Sequence, residues 1–520
     1  MKISRHSTHQ PSARAGLVWW CGLLAVAAST HFASAQIALP TDVKPTCTVT
    51  PQNFATWFQS GTVQPGGIVK PADSATFPNP PTLCDFYQWS EQMFLWFTSP
   101  VANGHVFDSP LFFNVSTADP TTGHRTLEQN GANTPLKLRA HISQLGPHGQ
   151  PVMKDAHGQL FERVPLSSGP PGQLHPDALV GENDIEFGQA TSNGVLISQG
   201  NSLVYYAIQV NDVYARFLTG QKSGGINPAP TNFPTKQADL DAITKFAGPL
   251  SDLNAMAIEI KTSWVDASTV DKSKFVTMST EVPTFDKSDP AHWKLTGGST
   301  PMTLALVGLH FVGSVAGHPE LIWATFEHND NSPLATYSYT KSDGSTGNIP
   351  QSTQGNWLFC GSGAAGPFNV QLGTAAANGD LFVFPPATKI APSNTLNSFP
   401  WGSPAGPATD PKVLGNNTAI ISLNESVHGM LPPAADVRSN YLLMGATWTT
   451  GVVPSTPPNP TVIRGSTKLA NSTMETYSVG TSGSNCFDCH SGTPFGENIH
   501  KLGLTHIYFE IQPLSVPPKQ

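Results

Sequence analysis

Five residues near the C-terminal end constrain this chain most: Cys486-Phe487-Asp488-Cys489-His490. Two cysteines three apart, followed directly by histidine, form the attachment sequence of a c-type haem. Each thiol adds across one vinyl group of the porphyrin, and the adjacent imidazole is held beneath the iron as proximal ligand. With 6 Cys and 17 His in 520 residues, chance would place this pattern only about 0.002 times. A thioredoxin-like site wants a strand before the cysteines, whereas the approach here is Gly480-Thr481-Ser482-Gly483-Ser484-Asn485, a polar loop. A zinc site wants a second ligand pair, and no second Cys pair exists. The expected cofactor is therefore one haem c per chain, with its iron, tethered by Cys486 and Cys489 and ligated by His490.

Covalent attachment of this kind in bacteria happens outside the cytoplasmic membrane, so the chain must be exported. Its N-terminus meets that demand. Lys2, Arg5 and Arg14 form a basic start, an apolar run covers 16–28, and Ala33-Ser34-Ala35 offers small residues for cleavage. That is a secretory signal over residues 1–35. The run falls short of the ~20 residues that a membrane span needs. Cys21 follows Trp20 and does not read as a lipoprotein cysteine. The mature protein is expected to be periplasmic or secreted, with no membrane span after cleavage.

Loss of three basic residues with the signal takes the formal charge from −8 to −11. That argues against nucleic acid as a partner and against anionic membrane surfaces. The partner implied is a redox protein or a small-molecule electron donor or acceptor. Five cysteines remain after export. The haem takes two, and an oxidising compartment favours one disulfide among Cys47, Cys84 and Cys360. Cys47 with Cys84 is the expected pair, because both lie in the N-terminal segment, leaving Cys360 as a buried thiol.

Gly (46) and Pro (47) together make nearly a fifth of the chain, which predicts many turns and an α+β, β-rich body with few helices. About 485 mature residues exceed the usual single core, so an elaborate body or two subdomains is expected. The plan is a body over 36–452, a Pro-rich linker over 453–460 and a short, mainly α haem-binding segment over 461–520. Residues 36–80 are Pro- and Thr-rich and are expected to wrap the surface. Cys84 to Phe97, with Phe86, Trp89, Met93, Phe94 and Trp96, reads as a buried amphipathic helix. Strands are expected over 203–210, 255–264, 302–312 and 321–326, a lone helix over 237–246, and a long irregular loop over 383–413.

The haem segment is too small to bury a porphyrin alone, so it should pack on the body. Only 30 residues follow His490, and none is Met. The distal ligand must come from elsewhere, or the iron stays open. Met474 or His506 is the favoured distal candidate. His500, Met430 and Met444 are further ones. A second constellation, His310 with Trp323-Ala-Thr-Phe-Glu-His-Asn-Asp-Asn331, brings acid and imidazole to a strand end. Glu327, His328 and Asp330 are its catalytic candidates, suited to acid/base work or to holding a propionate. The competing reading is a strand whose polar end opens a turn before Pro333.

Three strings, Trp323 to Asn331, Ala470-Asn-Ser-Thr-Met-Glu-Thr-Tyr477 and Asn485 to His490, resemble a group of large exported bacterial mono-haem proteins of the cytochrome c family. The resemblance implies haem binding and electron transfer, and it carries over Cys486, Cys489 and His490 alone. Two alternatives stand beside an electron carrier. One is a haem-dependent oxidoreductase of peroxidase or oxidase type with a cleft near Glu327 and His328. The other is a secreted binding protein with a haem electron outlet.

Overall fold

The aromatic stripe at 86, 89, 94 and 97 decides where the helix over 83–97 packs. The computed structural model describes residues 35–119, 122–131, 136–137, 152–154, 160–162, 190, 193–376, 378–431, 435–454, 459–478, 485–491, 493–495 and 498–515. The signal expected over 1–35 lies outside the described residues, apart from Ala35, as do residues 455–458 of the linker and 479–484 before Cys486. After a short helix α1 (Pro51–Trp57), α2 runs from Leu83 to Phe97. Thr82 and Asp85 close a capping box at its start, satisfying amides that the first turn leaves unpaired.

The face of α2 lies on a large sheet. Its strands are β1 (Phe112–Val115), β2 (Leu127–Gln129), β3 (Tyr205–Asn211), β4 (Ile258–Asp266), β5 (Thr277–Asp289), β6 (His292–Val315), β7 (His318–His328), β8 (Tyr441–Thr449) and β9 (Ile463–Gly465). The order across the main path is β9-β8-β7-β6-β4-β3-β1-β2, with β5 pairing β6 in a long hairpin. All the neighbours on that path are antiparallel. Phe94 stacks on Phe326 at 4.3 Å, Phe97 meets Phe311 edge-on at 5.0 Å, and Phe86 stacks on Trp448 at 3.8 Å.

A bulge lets one strand feed this core along its length. The β4–β6 register shifts between Ser263 and Trp264, opposite Gly308 and Leu306, so Val307 is the extra residue. Leu304 and Leu306 before it, and Leu309 and Phe311 after it, all join the α2 cluster. A strict period-2 strand would have sent one pair to the opposite face.

The second face is also covered. Helices α3 (Asp212–Lys222) and α4 (Gln237–Ala247) pack against one end of it, together with Leu502, Leu504, Ile507 and Tyr508 from the C-terminal segment. The helix expected over 237–246 is therefore not alone. It pairs with α3, whose start is set by Asn211 accepting from Tyr214 N. A helix the sequence reading did not anticipate, α5 (Pro411–His428), follows the Pro-rich loop and lies beside α2. Tyr87 donates to Asn416 across that contact at 2.5 Å.

The fold is thus α+β and β-rich, as expected. Residues 34–520 form one compact unit. Residues 36–80 do more than wrap the surface, because Val43, Cys47, Phe54, Phe58 and Val69 are buried in the main core. Apolar side chains scattered among prolines gave no periodic signal, yet each finds a core position. Cys47 is bonded to Cys84, and Cys360 is buried outside any disulfide. Replacing both Cys47 and Cys84 by alanine is expected to lower unfolding stability by about 2–4 kcal/mol, through the freed denatured-state loop. Chemical denaturation under oxidising conditions measures it, and an unchanged midpoint would refute it. Among the described residues, no helix is long and apolar enough to cross a membrane.

Candidate functional site

The sheet face opposite α2 presents two rows of side chains to the C-terminal segment. In one, Lys261, His310, Thr325 and Gly445 stand side by side on β4, β6, β7 and β8. In the next, Ser263, Gly308 and Glu327 do the same. Gly308 is needed here. A Cβ on it would lie 2.6 Å from Ser263 Oγ and Thr473 Oγ1, so only a bare backbone admits the chain that crosses above it.

That crossing chain is 471–475. Asn471 Nδ2 donates to Thr325 Oγ1 at 2.9 Å, Thr473 Oγ1 lies 2.7 Å from Ser263 Oγ, and Tyr206 donates to Thr473 O at 2.7 Å. Ser472 gives Glu327 both its backbone N–H, at 2.9 Å, and its hydroxyl. Asn397 Nδ2 donates to the same carboxylate at 2.9 Å. Glu475 meets His310 Nε2 through both oxygens, at 2.8 and 3.0 Å, and accepts from Asn471 N at 2.7 Å. Burial raises the Glu475 carboxyl, but His310 and Lys261 outweigh it, and it stays below the usual carboxylate range.

The Cys-x-x-Cys-His motif follows on the same face. Cys486–Cys489 is a one-turn helix α6, capped by Asn485 and Asp488. One turn puts residues i and i+3 on one side, so both thiols share a face with His490 next in line. Phe487 is fully buried and edge-on to Trp323, ring centres 5.9 Å apart. The half-buried Cys486 packs on the same apolar cluster, and burial pushes its thiol up.

His490 is held on several sides. Its Nδ1 lies 3.0 Å from the Leu504 carbonyl, and its two ring neighbours are Trp323 at 4.6 Å and His506 at 4.2 Å. Nδ1–H donates to that carbonyl, which leaves Nε2 as the ring nitrogen with a lone pair in the ring plane. Burial comes first in pushing His490 well below the usual imidazole range, with His506, Lys261 and His310 adding to it. A neutral imidazole with one nitrogen anchored and the other available is what iron ligation asks for. The residues present therefore fit a c-type haem: two thiols on one turn, an oriented imidazole, and apolar walls from Trp323, Phe487 and Leu504.

The other candidates are dispersed. His506 stacks on the face of His490 and its Nε2 donates to Cys489 O at 2.9 Å. The two rings lie face to face, so His506 stands as a direct neighbour of His490. Met474 is 2% exposed among Tyr206, Val307 and Phe359, in a cluster separate from that of Phe487. Met444 is buried under α2, and Met430 packs at the edge of the same core. The His500 side chain lies outside the description, although its backbone forms a strand with Thr493.

Glu327 and His328 face opposite sides of the sheet and do not converge. Burial pushes the Glu327 carboxyl up, and its oxygens are occupied by the crossing chain. His328 stacks on Phe275 at 3.8 Å, accepts from Asp330 N at 3.2 Å, and is pushed down to about 4 by burial. Glu327 thus anchors the 471–475 strip, whereas His328 and Asp330 meet across the turn that follows β7. The acid–imidazole pair on this face is instead Glu475 with His310. The sequence reading singled out His310 but gave Glu475 no role, because 165 positions separate the two. The Leu504 carbonyl had no sequence signal at all.

Among the described residues, no group of three or more His, Cys, Asp or Glu is arranged to hold a bare metal ion. No family model, curated protein or solved structure matches the chain.

Proposed function

We propose that this chain is an exported mono-haem c-type cytochrome that binds haem covalently and transfers electrons. Cys486 and Cys489 would tether the porphyrin and His490 would ligate its iron, with haem supplying a one-electron Fe(II)/Fe(III) couple. The observation that carries the reading is the His490 Nδ1 contact with the Leu504 carbonyl, added to the motif itself. Such a bond fixes the tautomer and turns Nε2 outward, the role that outer-shell partners of ligating histidines play. Trp323 and Phe487 keep water from the ring, and the redox partner would be a protein or small molecule outside the membrane.

A second reading, a haem-dependent oxidoreductase, is favoured by His310 and Glu475. An imidazole bridged by both oxygens of a carboxylate, on the face that also carries the motif, is suited to proton transfer.

The test is the optical spectrum of protein produced with a c-type maturation system. A pyridine haemochrome of c type at one per chain is expected, and it should be lost in the double variant Cys486→Ala/Cys489→Ala. Protein that matures without covalent haem would overturn both readings. A reduced spectrum untouched by carbon monoxide fits the carrier, whereas immediate binding fits the oxidoreductase.

A further inference from the structure

The turn end of the β6–β7 hairpin borders a cleft of about 490 Å³, lined also by the start of α2 and by the 448–451 and 464–465 strand ends. It lies on the α2 side of the sheet, and neither the motif nor its neighbours line it. Its size is that of a small-molecule site. Phe86 and Trp448, stacked at 3.8 Å and nearly fully buried, form an aromatic wall. Leu83 stands exposed at its rim.

Two polar side chains converge on this wall. His318 is 9% exposed, with its ring edge-on to Phe86 at 5.0 Å and Phe77 at 5.9 Å. Its Nδ1 lies 2.8 Å from Glu320 Oε1. That oxygen also accepts from Thr449 N at 3.2 Å and Gly451 N at 3.3 Å, so the carboxylate is fixed and fully buried. The arrangement locks the imbedded imidazole with Nδ1–H on the carboxylate and turns Nε2, which has no partner among the described residues, to the cleft.

Arg464 is the second. Its NH1 is steadied by the Thr461 and Ile463 carbonyls, both at 2.8 Å. Among the described residues no carboxylate pairs with it, and its remaining donors are available. The first amides of α2 open on the same space and favour negative charge. The one carboxylate there, Asp85, is spent on Thr82 N and Oγ1, both at 2.7 Å.

We propose that this cleft binds a small hydroxylated aromatic acid. Arg464 would take the carboxylate, His318 Nε2 would accept a hydrogen bond from the hydroxyl, and the stacked Phe86–Trp448 pair would wall one side of the ring. Arginine matches a carboxylate bidentately, and a buried imidazole acceptor rejects an analogue that lacks the hydroxyl.

Isothermal titration calorimetry on the full mature chain tests it, with 4-hydroxycinnamate as probe. Saturable binding is expected. Cinnamate, lacking the hydroxyl, and methyl 4-hydroxycinnamate, lacking the charge, should each bind about tenfold more weakly. Arg464→Gln, an exposed position, should weaken 4-hydroxycinnamate about tenfold and leave the ester unaffected. Absence of saturable binding, equal affinity for all three probes, or an Arg464→Gln variant that binds like the native chain would each overturn the proposal. The ligand comparison is made on the unmutated protein, so a folding defect cannot mimic the result. No haem is needed, and failure here leaves the proposed cytochrome untouched.

Discussion

Glu327→Ala is expected to destabilise the fold by about 3–5 kcal/mol, from buried donors left unpaired and the cavity left behind. Glu327 is 1% exposed and takes donors from Ser472 N, Ser472 Oγ and Asn397 Nδ2. Alanine would strand all of them without water, at roughly 1–3 kcal/mol for each unsatisfied group, and leave a cavity besides. The loss should spread along the chain. Ser472 belongs to the strip that carries Glu475 to His310, so the variant should also show a lower yield of covalent haem. Glu327→Gln keeps the shape and one acceptor, and should retain most of the stability. Urea unfolding followed by far-ultraviolet circular dichroism reads the effect. An alanine variant within about 1 kcal/mol of the native chain would mean that the strip is held mainly by its other contacts.

Glu91→Gln should stabilise the protein increasingly as pH rises from about 5 to 8. Glu91 lies on the buried side of α2 at 3% exposure, with Oε1 lacking any hydrogen-bond partner, and burial raises its carboxyl to about 8. The folded chain therefore keeps a proton that the unfolded chain releases near 4.5. Between those values each pH unit removes up to about 1.4 kcal/mol of stability. His328 and His428 act with the opposite sign. Burial lowers both to about 4, so stability falls as pH drops from 6.5 towards 4. The native protein should be most stable between these limbs, near pH 6–7. Unfolding midpoints of the two proteins at pH 6, 7 and 8 decide the point. A gap of constant size across that range would show that Glu91 is not the titrating group.

Much of this architecture is legible in the residues. The α2 stripe has a clear 3.6-residue period, and its capping residues are local, so both ends could be read within a residue or so. Strands β4, β6 and β7 are marked by runs of branched and aromatic side chains. What escaped had physical causes. The start of α5 at Pro411 continues a proline-rich stretch, and the helix is lined with Asn416, Asn417 and Asn424, weak helix formers whose side chains find partners far along the chain, such as Tyr87 and Trp401 O for Asn416 and Ser338 O for Asn417. Asn424 exchanges two bonds with Leu443, a partner no local pattern reveals. The extra residue at Val307 hid the alternation of β6. In the site, the motif cysteines and histidine announce themselves, because Cys-x-x-Cys-His is a spacing that a porphyrin would require. The seat of His490 does not, since a carbonyl from Leu504 and a ring from Trp323 are supplied by the fold. Likewise, Glu327 looked like an active-site edge for the same reason that it is a good anchor: it is a charged group at the end of an apolar strand.

The strip at 471–475, lying across Gly308 and hooked to Glu327, gives the molecule an order of assembly. A chain emerging from its N-terminus can lay α2 and α5 on one side of the sheet long before the last fifty residues arrive. Until they do, Trp323 lacks Phe487, Tyr206 lacks its acceptor at Thr473 O, and His310 lacks Glu475. Cys486 and Cys489 come later still, so the segment that seals the sheet is also the one that, on the proposed reading, would receive the haem. A chain stopped short of residue 466 would be an unfinished sheet with one sticky side, and proteases or aggregation should remove it before it could pass for a folded protein.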